Sequence, residues 1–237
     1  MISNYPIINI YEQKSLRSKI SSQLLFGEKF QILKKQSEWL KIKTSYDNYI
    51  GYIRNRKFTK KIKVTHKISS LNANLYSKPK EISKTNLKLS FCSLISVSKK
   101  IKNFYKFGKF WIKKRDVKPI NYKQKIFKNI NMFVNTPYKW GGKSYKGIDC
   151  SALVQLFFKF NNLYCPRDTK DQLRYFKKVK KVKKNAIIFW RGHVAICLSK
   201  KNLIHAYGPK KKVLIMNIKK TLKLIEQTAK LQVIGIR

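Results

Sequence analysis

Residues 147–160 read Gly147-Ile-Asp-Cys-Ser-Ala-Leu-Val-Gln-Leu-Phe-Phe-Lys-Phe160. From Ala152 the run is apolar on most sides, the pattern of a buried helix, and Asp149 stands where a side-chain cap is wanted. That spacing predicts Cys150 at the helix start. Unpaired backbone N–H groups and the helix dipole favour a thiolate there, and an imidazolium nearby would lower the thiol pKa further. Upstream, Gln124 to Val134 puts Ile126, Phe127, Ile130, Phe133 and Val134 at helical spacing, and Pro137 closes it, so a second helix is predicted. Downstream the period shortens. Ala186–Trp190, His193–Leu198, Leu203–Tyr207 and Val213–Ile218 read as strands, so the second half of the chain is predicted to be an α+β domain of helices followed by antiparallel strands.

A nucleophilic cysteine needs a base, and two of the three histidines lie in this half, at His193 and His205. A hairpin turning symmetrically about Ser199 would set them opposite each other, with Cβ atoms about 5 Å apart. One imidazole then takes the thiol proton while the other fixes its tautomer. His66 has no such company and reads as structural. Cys92, Cys165 and Cys197 read as small buried hydrophobes. With no CxxC pair and three histidines in all, no metal site is expected.

The first half has a different grammar. Short β-rich runs at Lys29–Leu33, Trp39–Lys43, Tyr49–Ile53, Leu94–Val97 and Lys109–Ile112 suit small barrels. Each half of this region has a Trp-bearing strand (Trp39, Trp111), which suggests an internal duplication joined near residues 58–64. The expected division is 1–59, 60–120 and 121–237.

The net charge of +45 is the footprint expected of a polyanion binder. Against that, only eight of the 55 basic residues are Arg, the residue that reads guanine and clamps phosphate bidentately. The lysines run from Lys14 to Lys230 without focus, so they read as generic surface and no specific nucleic-acid partner is expected. The opening residues lack a secretory leader pattern, and no stretch reaches the ~18 apolar residues of a membrane helix. The expectation is a soluble cytoplasmic chain without membrane insertion. The oligomeric state stays open.

Five ordered motifs resemble the NlpC-type cell-wall cysteine peptidases, a papain-like clan: Thr136-Pro-Tyr-Lys-Trp-Gly-Gly142, Gly147–Gln155, Pro166-Arg-Asp168, Phe189-Trp-Arg-Gly-His-Val194 and His205-Ala-Tyr-Gly208. Residues 11–53 resemble a bacterial SH3-like domain. Together they look like the bacterial dipeptidyl-peptidase architecture that cleaves γ-D-glutamyl bonds of peptidoglycan peptides. The resemblance implies two small SH3-like β-barrels before a papain-like α+β domain, Cys150 as nucleophile, His193 as base and then acid, and His205 as orienting residue. It implies Tyr138, Asp149 and Ser151 as substrate-side residues and no cofactor. In relatives of this arrangement the first barrel caps the cleft and admits peptides with a free N-terminus; Glu28 is the candidate for pairing with that ammonium.

Plainer readings stand beside these. Asp149 serves equally as a helix cap, Asp168 and Asp171 as first-turn acids of a following helix, and Tyr138 and Trp140 as core aromatics. Ala152 and Asn185-Ala186 stand where the family has Gly and Gly-Asp, away from the presumed catalytic atoms. The function expected is hydrolysis of a γ-D-glutamyl–diamino acid amide in a small muropeptide. Its alternatives are another thiol amide or ester hydrolase on this scaffold, and a non-catalytic binder of acidic wall polymer.

Overall fold

The computed structural model describes residues 1–60 and 62–237. Its first unit is a five-stranded antiparallel sheet of β1 (Ile7–Tyr11), β2 (Ile20–Leu25), β3 (Phe30–Gln36), β4 (Trp39–Thr44) and β5 (Ile50–Arg54), in the order β2-β1-β5-β4-β3. Alternate residues turn inward, so that Ile8, Ile10, Leu24, Leu40, Ile42 and Ile53 make a small core.

The second unit holds β6 (His66–Ile68), β7 (Asn72–Tyr76), β8 (Lys84–Ser90), β9 (Leu94–Ile95), β10 (Lys99–Ile101), β11 (Phe104–Phe107), β12 (Phe110–Lys113) and β13 (Val117–Pro119). Its larger sheet runs β8-β7-β12-β11-β10, which repeats the strand order of the first. The duplication is therefore visible in topology, but the tryptophans do not correspond. Trp39 lies on the fourth strand of its sheet and Trp111 on the fifth.

The third unit begins with the short pair β14 (Lys143–Ser144) and β15 (Gly147–Ile148), then α1 (Cys150–Phe160) and α2 (Thr169–Tyr175). β16 (Ile187–Trp190), β17 (His193–Cys197), β18 (Asn202–Tyr207) and β19 (Lys212–Asn217) follow, then α3 (Ile218–Ala229) and β20 (Val233–Ile236). The sheet order is β19-β18-β17-β16-β20, antiparallel throughout. Ile187, Phe189, Val194, Ile196, Ile204 and Ala206 share a core with α1, while Ile188, Ala195 and Leu203 pack with Ile218 and Ile225 of α3. The architecture is α+β, an α-on-sheet domain preceded by two SH3-like β units.

The helix expected over 124–134 does not form. Only a single tight turn at Ile130–Phe133 is present, because Phe127 and Asn129 sit at φ 64° and 62°, which breaks a right-handed helix. The apolar spacing there has another cause. Phe127, Ile130 and Phe133 are buried, and the Phe127 and Phe133 rings meet Phe157 of α1 at 5.9 and 5.8 Å. Tertiary contact sets their period. α3 and β20 go beyond the sequence expectation: α3 covers the second face of the sheet and β20 adds an edge strand beside β16.

Two glycines mark the seams between units. Gly27 at φ +79° lies where a Cβ would stand 2.1 Å from the Leu94 carbonyl oxygen, between the two barrels. Gly141 at φ +70° faces Ile20 O at 2.2 Å in the same way, between the first barrel and the third unit. Both need the left-handed region and neither leaves room for a methyl group. Lys67 of the second barrel ties in from another side, its ammonium donating to the carbonyls of Tyr122 (2.6 Å) and Phe160 at the end of α1.

Candidate active site

The start of α1 is held by one carboxylate. Asp149 Oδ1 accepts from Ala152 N at 2.8 Å, the N-cap bond that orients the first turn, and Oδ2 accepts from Gly141 N at 3.0 Å. Arg167 grips both oxygens, NH1 to Oδ1 at 3.1 Å and NH2 to Oδ2 at 2.6 Å. The same guanidinium donates to Ser151 Oγ at 2.9 Å and, through Nε, to Ser22 Oγ on β2 at 3.0 Å. Asp149, Ser151 and Arg167 are all buried. A planar fork with five donors can serve four acceptors at once, and a lysine cannot. In a chain so short of Arg, its presence at 167 is the one sequence signal of this role. Asp149 and Ser151 do line the cavity, with their side-chain oxygens committed to Arg167.

Cys150 sits in this first turn, buried. Burial pushes its thiol up to about 12, and the Asp149 charge adds to that; hydrogen bonds from the Val194 backbone and the Thr169 hydroxyl, and the Arg167 charge, only partly pull it back. The helix-start position favours a thiolate, and burial works against it. Val194 is the residue after His193, so the strand that carries His193 runs past the sulfur.

His193 Nε2 and His205 Nδ1 lie 2.9 Å apart. Burial lowers His193 to about 4 and His205, with the added effect of His193, to about 3, so both imidazoles are neutral at pH 7. The hairpin is not centred on Ser199. Ile196 pairs with Ile204 and Cys197 with Leu203, and Leu198 N donates to Asn202 O at 2.9 Å, so the turn is centred on Lys200. Continued along the ladder, this register sets Ala195 opposite His205, and the histidines meet as diagonal neighbours on one face. Parity survives the shift of register, direct opposition does not. Tyr207 stacks on His205 at 4.8 Å and 11°.

A cavity of about 610 Å³ runs along Cys150. Its wall includes Tyr138, Asp149, Ser151 and Asp168, the cations Lys170 and Arg191, and Trp190. Tyr138 shares the cavity wall with Cys150, and burial, then the charges of Cys150 and Asp149, raise its hydroxyl. Trp140 lines the same cavity and is 61% exposed, so its reading as a core aromatic is corrected. From the first barrel come Glu12, Ser21 and Tyr49.

Glu28 does not reach this cavity. It lies in a separate one among Lys143, Lys159 and Tyr46, buried, with its oxygens accepting from Leu25 N (2.9 Å), Lys143 Nζ (3.1 Å) and Lys159 Nζ. A carboxylate shared by two buried ammonium groups is a clamp between units, unavailable to a substrate amine. The acid that the first barrel does present to the cavity is the exposed Glu12.

Residues 135–228 match the NlpC/P60 family, and residues 10–58 match the bacterial dipeptidyl-peptidase SH3 domain. Among characterised proteins, the chain is 30% identical over 179 residues to a γ-D-glutamyl-L-lysine dipeptidyl-peptidase of Bacillus subtilis, covering 68% of this chain and 60% of that protein. It is 24% identical over 228 residues to dipeptidyl-peptidase 6 of Lysinibacillus sphaericus, covering 84% of each. The crystal structure of an NlpC/P60 family protein from Bacillus cereus superimposes with a TM-score of 0.85 at 20% identity, across 100% of this chain and 98% of that one. The shared fold thus extends through both SH3-like units.

Proposed function

We propose, for a chain that carries an NlpC/P60 domain behind a bacterial dipeptidyl-peptidase SH3 domain, that it is a cysteine peptidase. Its bond is the γ-D-glutamyl–diamino acid amide of short muropeptides with a free N-terminus. One arrangement carries the reading: a helix-start thiol beside the His193 strand, with His193 bonded to His205, along a cavity whose rim the first barrel supplies. The relatives named for γ-D-glutamyl-L-lysine cleavage support the bond chosen.

The Cys150 thiol attacks the γ-carbonyl of D-glutamate as its proton passes to His193. Backbone N–H groups at the start of α1 stabilise the oxyanion. Collapse breaks the C–N bond, His193 returns the proton to the departing amine, and water then hydrolyses the thioester to free the thiol. Lys170 and Arg191 on the cavity wall suit the free carboxylates of such a peptide, and Glu12 suits its terminal ammonium. Because the first barrel contributes to the cavity wall, the site fits short fragments better than intact wall. We place the activity in the cytoplasm, on imported fragments; recovery of the tagged native protein in a periplasmic or secreted fraction overturns that placement.

Mass spectrometry of L-Ala-γ-D-Glu-diaminopimelate and its L-Lys counterpart is the direct test. Release of the free diamino acid with the dipeptide L-Ala-D-Glu is expected. Turnover of acyl esters without such release would assign another thiol hydrolase, and salt-sensitive retention on polyanion without any turnover would assign a binding module. Glu12→Gln is expected to raise KM for the free-amine tripeptide roughly tenfold, the cost of losing a charge-assisted contact, and to leave cleavage of the N-acetylated peptide unchanged. Glu28→Gln is expected to lower the melting temperature with KM unchanged. A KM rise in the Glu28 variant instead would return the amine to that residue.

A further inference from the structure

The imidazole pair does not end at His205. Its Nε2 faces the thioether of Met216 at 3.4 Å, on the side away from His193. Met216 lies on β19 opposite Leu203, while His205 pairs with Leu214, so Met216 is the diagonal neighbour of His205 as His205 is of His193. The three side chains make one row across β17, β18 and β19, with Tyr207 stacked against the middle ring.

A thioether has lone pairs and no proton. We infer that Met216 is a positioning residue for the proposed reaction, its sulfur setting the tautomer of the whole row. With only an acceptor beside it, His205 Nε2 carries the proton and donates to sulfur. His205 Nδ1 is then bare and accepts from His193 Nε2–H across the 2.9 Å bond. His193 Nδ1 is left with its lone pair free, the state a base must be in to take the Cys150 proton. In the opposite arrangement His205 Nδ1–H would donate to His193 Nε2. The proton of His193 would then sit on Nδ1, and the ring would have no free lone pair with which to take the Cys150 proton. The ring stack on Tyr207 holds the plane of His205 but is blind to which nitrogen is protonated. Only the group at the far end of the row distinguishes them.

This inference rests on the peptidase reading, so the test has one arm that needs turnover and one that does not. ¹⁵N-detected NMR of the histidines in the wild-type protein at pH 7 is expected to show protonated Nε2 on both His193 and His205. Met216→Leu keeps the volume and removes the acceptor. It is expected to give a tautomer mixture at His205 and to lower kcat for the tripeptide about tenfold with KM unchanged, the size usual for loss of an outer hydrogen-bond partner. Met216→Gln, whose amide oxygen can accept, is expected to restore the single tautomer and most of kcat. A wild-type His205 protonated on Nδ1, or a Met216→Leu protein with wild-type tautomers and wild-type kcat, would overturn the inference. A wild-type protein that shows the expected tautomers yet cleaves no muropeptide leaves the row intact and sinks the peptidase reading alone.

Discussion

Cys150→Ala is expected to lower kcat for the tripeptide by a factor on the order of 10⁵, with His193→Ala close behind, because residues that act as one nucleophile–base unit each cost nearly the whole effect. His205→Ala is expected to leave more, on the order of 1% of wild type, since it acts through the orientation of His193. Full turnover in either of the first two variants would refute the assignment of the site. The pH dependence follows from the resting charge states. His193 works as a base only when neutral, and burial holds it near 4, so the acid limb of kcat/KM lies below that of an ordinary histidine. At pH 5 it is roughly nine-tenths neutral, against about 3% for an unperturbed imidazole. With the thiol up at about 12, the resting pair is neutral thiol and neutral imidazole, and proton transfer accompanies attack. Iodoacetamide is therefore expected to alkylate Cys150 slowly at pH 7 and faster with each unit above pH 8. Rapid alkylation that does not change between pH 5 and 8 would mean a preformed thiolate–imidazolium pair.

Arg167→Met should cost about 3–5 kcal/mol of stability, because it leaves the Asp149 carboxylate buried without its cation. In a chain of this length that is a fall of roughly 10 °C in the melting temperature. The same variant should lose most of kcat. Asp149 caps the turn that carries Cys150 and also receives Gly141 N, so releasing it frees the backbone that positions the thiol. Arg167→Lys keeps the charge but not the fork, and is expected to recover part of the stability and little of the rate. Arg167→Met with Asp149→Leu should melt above Arg167→Met alone, since no charge remains stranded, while staying inactive. Additive losses in the double variant would show that the two side chains do not act as a pair.

Local signals in the chain were good guides to the elements near the chemistry. Asp149 before an apolar run announced both the cap and the start of α1. Alternation announced β16 to β19 within a residue or two. Where local signals mislead, the controlling contacts are distant. The apolar spacing of 126–134 looked helical, yet it comes from Phe127 and Phe133 meeting Phe157, with left-handed residues between them. The hairpin turn was misplaced by one residue, from Ser199 to Lys200, which changed the histidines from directly opposed to diagonal.

Glu12 and Glu28 show the limit most clearly. Both are acids in the first barrel, and nothing in their sequence neighbours distinguishes a cavity wall from a clamp. Lys143 and Lys159, more than a hundred positions away, decide that Glu28 is the clamp. Arg167 was visible as a scarce residue type, but its three partners, Ser22, Asp149 and Ser151, come from β2 and the α1 start, and only the packed seam brings them together.

By itself the sequence determined what depends on bonds within a turn or a strand: where α1 begins, that Cys150 lies in its first turn, and that His193 and His205 share a face. The tertiary structure alone decided which acid faces the cavity, which cation holds Asp149, what stands beyond His205, and how far burial raises the Cys150 thiol. Those properties are set by desolvation and by partners from other units, and neither leaves a periodic trace in the chain.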